Sequence, residues 1–197
     1  MMLRFLSILL LCGSLASQGG FPHPMGPPNV KAEYLGKAHV SPQERRAILS
    51  LVFAGNAPST CVSSERTLAQ EIDSIRIARA SLAPGERDLL VQASDNCNCG
   101  GTGNCAFWIL RERPGGFDTL LAADMVQTFS VEPSSSNGYK NVMTSAHGSA
   151  SYSDLALYQF DGKRYRKTHC AGEEYTQRED GSFSDKPTIT PTECGAE

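Results

Sequence analysis

Leu155-Ala156-Leu157-Tyr158-Gln159-Phe160-Asp161-Gly162-Lys163-Arg164-Tyr165 is the stretch whose reading decides the fold. Leu155, Leu157, Tyr158 and Phe160 lead into Asp161-Gly162, a dipeptide suited to the tight turns that join antiparallel strands, and Tyr165 lies on the returning strand. The same punctuation recurs upstream. Tyr139 to Thr144 reads as a strand after the turn-forming run Pro133-Ser134-Ser135-Ser136-Asn137-Gly138, and Met125 to Val131 reads as the strand before it. Phe107 to Leu110 and Phe117 to Leu121 flank Pro114-Gly115-Gly116 as another hairpin. Ile75, Ile77 and Leu82, then Pro84-Gly85, then Leu89-Leu90-Val91 give two more strands, the second running into a cysteine-rich loop.

One helix precedes these strands. Ser41-Pro42-Gln43-Glu44 combines a capping serine, proline at the first helical position and a glutamate three residues on. Ala47, Ile48, Leu51 and Val52 recur at helical spacing, and Gly55 supplies a stop. The pattern predicts an α+β, mostly β chain: an antiparallel meander or sandwich of seven to eight short strands with one N-terminal helix.

Several segments carry a family likeness: Leu82-Ala83-Pro84-Gly85-Glu86-Arg87-Asp88-Leu89-Leu90-Val91, Asn104-Cys105-Ala106-Phe107-Trp108, Asn137-Gly138-Tyr139 and Tyr158 to Tyr165. Together they resemble small secreted bacterial domains of unassigned function, with strand–turn–strand units similar to FG-GAP-type propeller blades. The resemblance covers about residues 72–170 and implies a blade-like strand order. FG-GAP turns are known for acidic calcium loops, whereas only Glu86 and Asp88 stand near Pro84-Gly85, so calcium binding does not carry over.

The N-terminus sets the redox context. Arg4 within Leu3-Arg4-Phe5-Leu6, followed by Ile8 to Leu11 and Ser14-Leu15-Ala16, reads as a cleavable secretory signal over residues 1–16. Cys12 raises the question of a lipid anchor, but Leu11 is bulky where lipoprotein signals carry a small residue, so cleavage after Ala16 is expected. No run approaches the roughly 20 apolar residues of a membrane-spanning helix. Residues 17–40, rich in glycine and proline around Gly19-Gly20-Phe21-Pro22, are expected as a flexible arm, and residues 41–197 as a single disulfide-stapled domain. The expected location is secreted or periplasmic.

Six of the seven cysteines lie beyond the signal: Cys61, Cys97, Cys99, Cys105, Cys170 and Cys194. Outside the cytoplasm an even set reads as disulfides, and six cysteines allow fifteen connectivities. Cys97 and Cys99 are poorly placed to pair with each other, while either can reach Cys105 through the intervening glycine-rich loop. The expected pairing is Cys99–Cys105, with Cys61–Cys97 and Cys170–Cys194 as the other bridges. A zinc reading of the cluster lacks the matching second half that such sites use. A calcium reading of Asp95 to Gly100 places cysteine where oxygen ligands are needed. No cofactor is expected.

Loss of Arg4 with the signal would leave 17 Lys+Arg against 21 Asp+Glu, a mildly acidic balance of −4. The basic residues are scattered among acids rather than gathered in a stripe, which argues against a nucleic-acid partner.

Two site readings compete. His147 in Thr144-Ser145-Ala146-His147-Gly148-Ser149-Ala150-Ser151-Tyr152 suggests a base beside a hydroxyl nucleophile, Ser149, and hence a serine/histidine-type hydrolase. No Gly-x-Ser-x-Gly elbow accompanies it, and turn chemistry alone accounts for the serines and glycines. The favoured expectation is a non-enzymatic binding domain, directed at an unknown protein or envelope polymer, with a patch near Tyr139, His147, Ser149 and Tyr152. Trp108, Tyr139, Tyr158 and Tyr165 otherwise read as core and cross-strand pairs.

Overall fold

The computed structural model describes residues 29–54, 58–62, 64–95 and 97–195. The signal, Cys12 and the expected stop at Gly55 lie outside these residues.

The chain is mostly strand, with the elements in the order β1 (Glu33–Tyr34), α1 (Pro42–Val52), a 3₁₀ turn (Pro58–Thr60), α2 (Leu68–Ser74), β2 (Arg76–Ala80), β3 (Asp88–Gln92), β4 (Cys105–Arg113), β5 (Gly116–Val126), β6 (Thr128–Ser136), β7 (Tyr139–Ser149), β8 (Tyr152–Phe160), β9 (Tyr165–Glu174) and β10 (Thr188–Thr192). Two five-stranded antiparallel sheets result, ordered β1-β2-β3-β4-β5 and β10-β9-β8-β7-β6. Each is a meander, and the chain crosses from one to the other at Gln127.

Alternation along the strands of the first sheet builds two cores. Leu90, Phe107, Ile109 and Leu121 face the second sheet and meet Phe129, Val131, Val142, Tyr158 and Phe160. Leu89, Val91, Trp108 and Leu110 face the other way and pack with Ile48 and Val52 of α1. β3 is buried along its whole length because both its faces are covered.

The helix over α1 forms as its sequence directs: Ser41 accepts from Glu44 N–H, and Ser41 N–H donates to the Glu44 side chain in a complete capping box. A second helix, α2, was not expected. It starts on another box, Thr67 with Gln70, whose signature is present in the sequence. Of the expected arm, residues 29–40 lie against the fold. Leu35 is buried and its N–H donates to Ile75 carbonyl, while Asn29 holds both main-chain groups of Val131.

Three expected boundaries shift. Met125 to Val131 is not one strand: Gln127 interrupts it, held by its N–H to Ser145 carbonyl, while Gln92 Nε2 donates to the carbonyls of Val126 and Gln127. Pro133 to Gly138 is not all turn, since β6 continues to Ser136 and only Asn137-Gly138 turns, both with positive φ. Pro133 is tolerated because β6 is an edge strand with a register shift there. Thr144 to Tyr152 is not a loop: β7 and β8 leave only Ala150-Ser151 between them. The polar tail contains β10, pairing with β9, and the expected turn at Asp180-Gly181.

The disulfides among the described residues are Cys61–Cys97, Cys99–Cys105 and Cys170–Cys194, the set expected from the sequence. Asp95 anchors the loop that carries three of these cysteines, accepting from Cys97 N–H and from Asn98 Nδ2.

Candidate functional site

The residues expected to form one patch are divided along β7 and its neighbours. Tyr139 begins β7 and His147 lies near its end, eight residues away, about 26 Å at strand rise. Tyr139 is buried, its ring 4.2 Å from Phe160 and edge-on to Tyr165. It is a core residue, as the cross-strand reading had it. Arg111 lies over it, with the guanidinium carbon 4.5 Å from the ring centroid, a cation–π contact.

His147 and Tyr152 serve the other end of the sheet. β6 pairs β7 only as far as Ser145, so the main chain of His147 needs another partner. The Asn104 side chain supplies it: His147 N–H donates to Asn104 Oδ1 at 2.7 Å, and Asn104 Nδ2 donates to His147 carbonyl at 2.8 Å. Tyr152 lies across Gly148 and Gly172, where an added Cβ would come within 2.8 Å of its ring. Its hydroxyl donates to Asp154, and that bond, followed by burial, raises its pKa. The aromatic ring therefore covers two glycines in the sheet. Ser149 Oγ accepts from Ser151 N–H within the turn. The geometry assigns these groups to the hairpin and brings no described carboxylate or hydroxyl into hydrogen bond with the His147 ring.

Cys61, Asp95 and Cys97 place their ligand-type atoms within 4.8 Å of one another. Both sulfurs are joined in a disulfide, so neither offers the thiolate that a zinc site needs.

A cleft of about 800 Å³ lies elsewhere and is lined by none of the four expected patch residues. Antiparallel pairing brings the β2–β3 connection and the β4–β5 turn at Pro114-Gly115 together there, and the packing of α1 on the sheet adds the start of that helix. Its walls are ion pairs: Arg79 with Glu44 at 2.6 Å, Arg87 with Glu112 at 2.8 Å, and Arg113 with Glu86 at 3.1 Å. In each the arginine is the more exposed partner, 53% against 16% for the first and 81% against 37% for the second. Burial alone would raise the Glu44 carboxyl, but hydrogen bonds from Arg79 and Ser41 outweigh it and hold it below its ordinary value.

Asp88, also at this cleft, is buried and its Oδ2 accepts from Leu82 N–H. Burial raises its pKa, partly offset by that hydrogen bond and by the charge of Arg111 across the ladder. Sequence reading passed over these groups because Glu44, Arg79, Arg87 and Glu112 are far apart in the chain. The visible signal was the charge flanking two Pro-Gly turns, Pro84-Gly85 and Pro114-Gly115.

Compared with protein-family models, curated proteins and solved structures, the chain matches none.

Proposed function

We propose that this protein is an exported, non-enzymatic binding module whose recognition surface is the cleft walled by Arg79–Glu44, Arg87–Glu112 and Arg113–Glu86. The observation that carries this reading is the layering of those pairs. In each pair the carboxylate is the less exposed partner and holds a guanidinium that is more open to solvent. Arginine offers five donors in a rigid fork, and each pair uses only some of them. Ala80 and Phe117, both partly exposed, add apolar surface between the charges. Mixed charge over an apolar floor suits a polypeptide partner better than a uniformly charged polymer.

Export is supported by the apolar leader and by three disulfides, which persist in oxidising compartments. No described helix is long and apolar enough to cross a membrane. N-terminal sequencing of the secreted chain should begin at Ser17.

The test is capture of envelope components by the immobilised oxidised protein, run beside Arg87→Glu and Tyr152→Ala. The reading requires that Arg87→Glu lose the captured partner while Tyr152→Ala keeps it. Equal capture by both variants, or ester hydrolysis abolished by His147→Ala, overturns it.

A further inference from the structure

Beyond the arginine-lined cleft, we propose a second interaction surface: the outer edge of β5 accepts an extended peptide segment as an added strand, with Arg164 receiving an acidic side chain from it. Sheet edges expose main-chain donors and acceptors, and proteins ordinarily blunt them. Among the described residues, three of the four edges are blunted by shortness or by proline. β1 is only two residues long, β6 carries Pro133 and has Val131 occupied by Asn29, and β10 carries Pro191.

β5 differs. It is eleven residues long, contains no proline and ends its sheet, and among the described residues no strand pairs with its outer side. Its pairing with β4 shifts twice, between Cys105 and Phe107 and between Ile109 and Leu110, and at the second shift, opposite Leu121 and Thr119, Leu120 is an extra residue. Such a bulge takes its main chain out of the regular ladder.

A small cavity of about 190 Å³ joins this edge to the β8–β9 hairpin, with Thr119, Leu120, Leu121 and Ala122 on one side and Arg164, Tyr165 and Arg166 on the other. The volume is below the roughly 300–1,000 Å³ that encloses a small-molecule ligand. It suits a single side chain of a segment whose main chain lies along the edge, as in strand addition. The Arg164 guanidinium sets the charge of that side chain. Arg164 is exposed at the turn, whereas Arg166 pairs with Asp161. The occupant is therefore an extended segment carrying aspartate or glutamate.

The probe is a blocked hexapeptide alternating valine and glutamate, titrated into the oxidised protein and followed by amide chemical shifts. Saturable shifts confined to β5 and the β8–β9 hairpin are expected. Affinity should fall by about tenfold or more in Arg164→Glu, as for loss of a charge-assisted contact, and vanish when alternate peptide amides are N-methylated. The lysine counterpart should not bind. Binding of both peptides alike, shifts at another edge, no saturation at millimolar peptide, or an unchanged affinity in Arg164→Glu overturns the proposal. So does self-association through β5 in the absence of peptide, which would make a second copy the occupant. Arg87→Glu should bind the peptide normally, which separates this surface from the cleft.

Discussion

Asn104 does more for the sheet than its place in a glycine-rich loop suggests. Its amide acts as a one-residue strand for His147, tying the Cys99–Cys105 loop to the end of β7. Asn104→Ala leaves one N–H and one carbonyl of His147 without that partner. Each unsatisfied buried group costs about 1–3 kcal/mol, and because these are only partly buried the expected loss is about 1–2 kcal/mol in total. Urea denaturation without reductant measures it, and a loss below a few tenths would show that water replaces the amide. At the other end of the sheet, Asp161 accepts the N–H groups of Arg164 and Lys163 and pairs with Arg166, which lowers its pKa from 3.8 to about 2. A lowered carboxyl contributes stability that is full above its unfolded value and disappears as pH falls through its folded value. The stability difference between wild type and Asp161→Asn should therefore be constant above about pH 5 and shrink as pH falls toward 2. A pH-independent difference in the urea midpoint would contradict this.

Turns were the elements most legible in the sequence, because their chemistry is local. Asp161-Gly162 and Asn137-Gly138 need positive φ at glycine and have it. The β5–β6 corner was not legible. Met125 to Val131 is apolar enough to read as one strand, and what breaks it is distant: Gln92, buried on β3, reaches the carbonyls of Val126 and Gln127. The cleft was hidden for the same reason, since only sheet pairing and the packing of α1 join its charged segments. The corner also holds strain, because Met125 has φ 60° with its side chain half exposed. The left-handed region costs a non-glycine residue about 1–2 kcal/mol, whereas glycine adds about 0.5–1 kcal/mol of unfolded-chain entropy to be lost. Relief exceeds that entropy, and little burial is forfeited. Met125→Gly should therefore raise stability by about 0.5–1 kcal/mol, and Met125→Ala should not. Thermal unfolding of the pair decides it, and a destabilised glycine variant would show that the methionine side chain is packed to effect.

For the whole molecule, covalent closure and sheet packing divide the work unequally. Two bridges serve the first sheet and its helices: Cys61–Cys97 ties the segment between α1 and α2 to the loop after β3, and Cys99–Cys105 closes that loop. The second sheet has one, Cys170–Cys194, which fastens the tail beyond β10 to β9. Loop entropy ranks them by the chain they enclose, with sequence separations of 36, 24 and 6 residues for Cys61–Cys97, Cys170–Cys194 and Cys99–Cys105. The chain-entropy relation then gives losses of about 4, 3.5 and 2 kcal/mol on replacing each pair with alanine. Packing modifies the order at one place: Cys61 is fully buried among Ile48, Val52 and Trp108, so its replacement also leaves a cavity and widens the gap to the other two. Cys170 is only partly buried, and its bridge restrains a polar tail rather than the core between the sheets. Loss of Cys170–Cys194 should thus release β10 to hydrogen exchange and proteolysis while β3 and β4 stay protected, whereas loss of Cys61–Cys97 should weaken the whole chain in one transition. Pulse proteolysis of the two double-alanine variants distinguishes these patterns. If the tail variant unfolded globally before it was clipped, β10 would be integral to the sandwich rather than fastened to its edge.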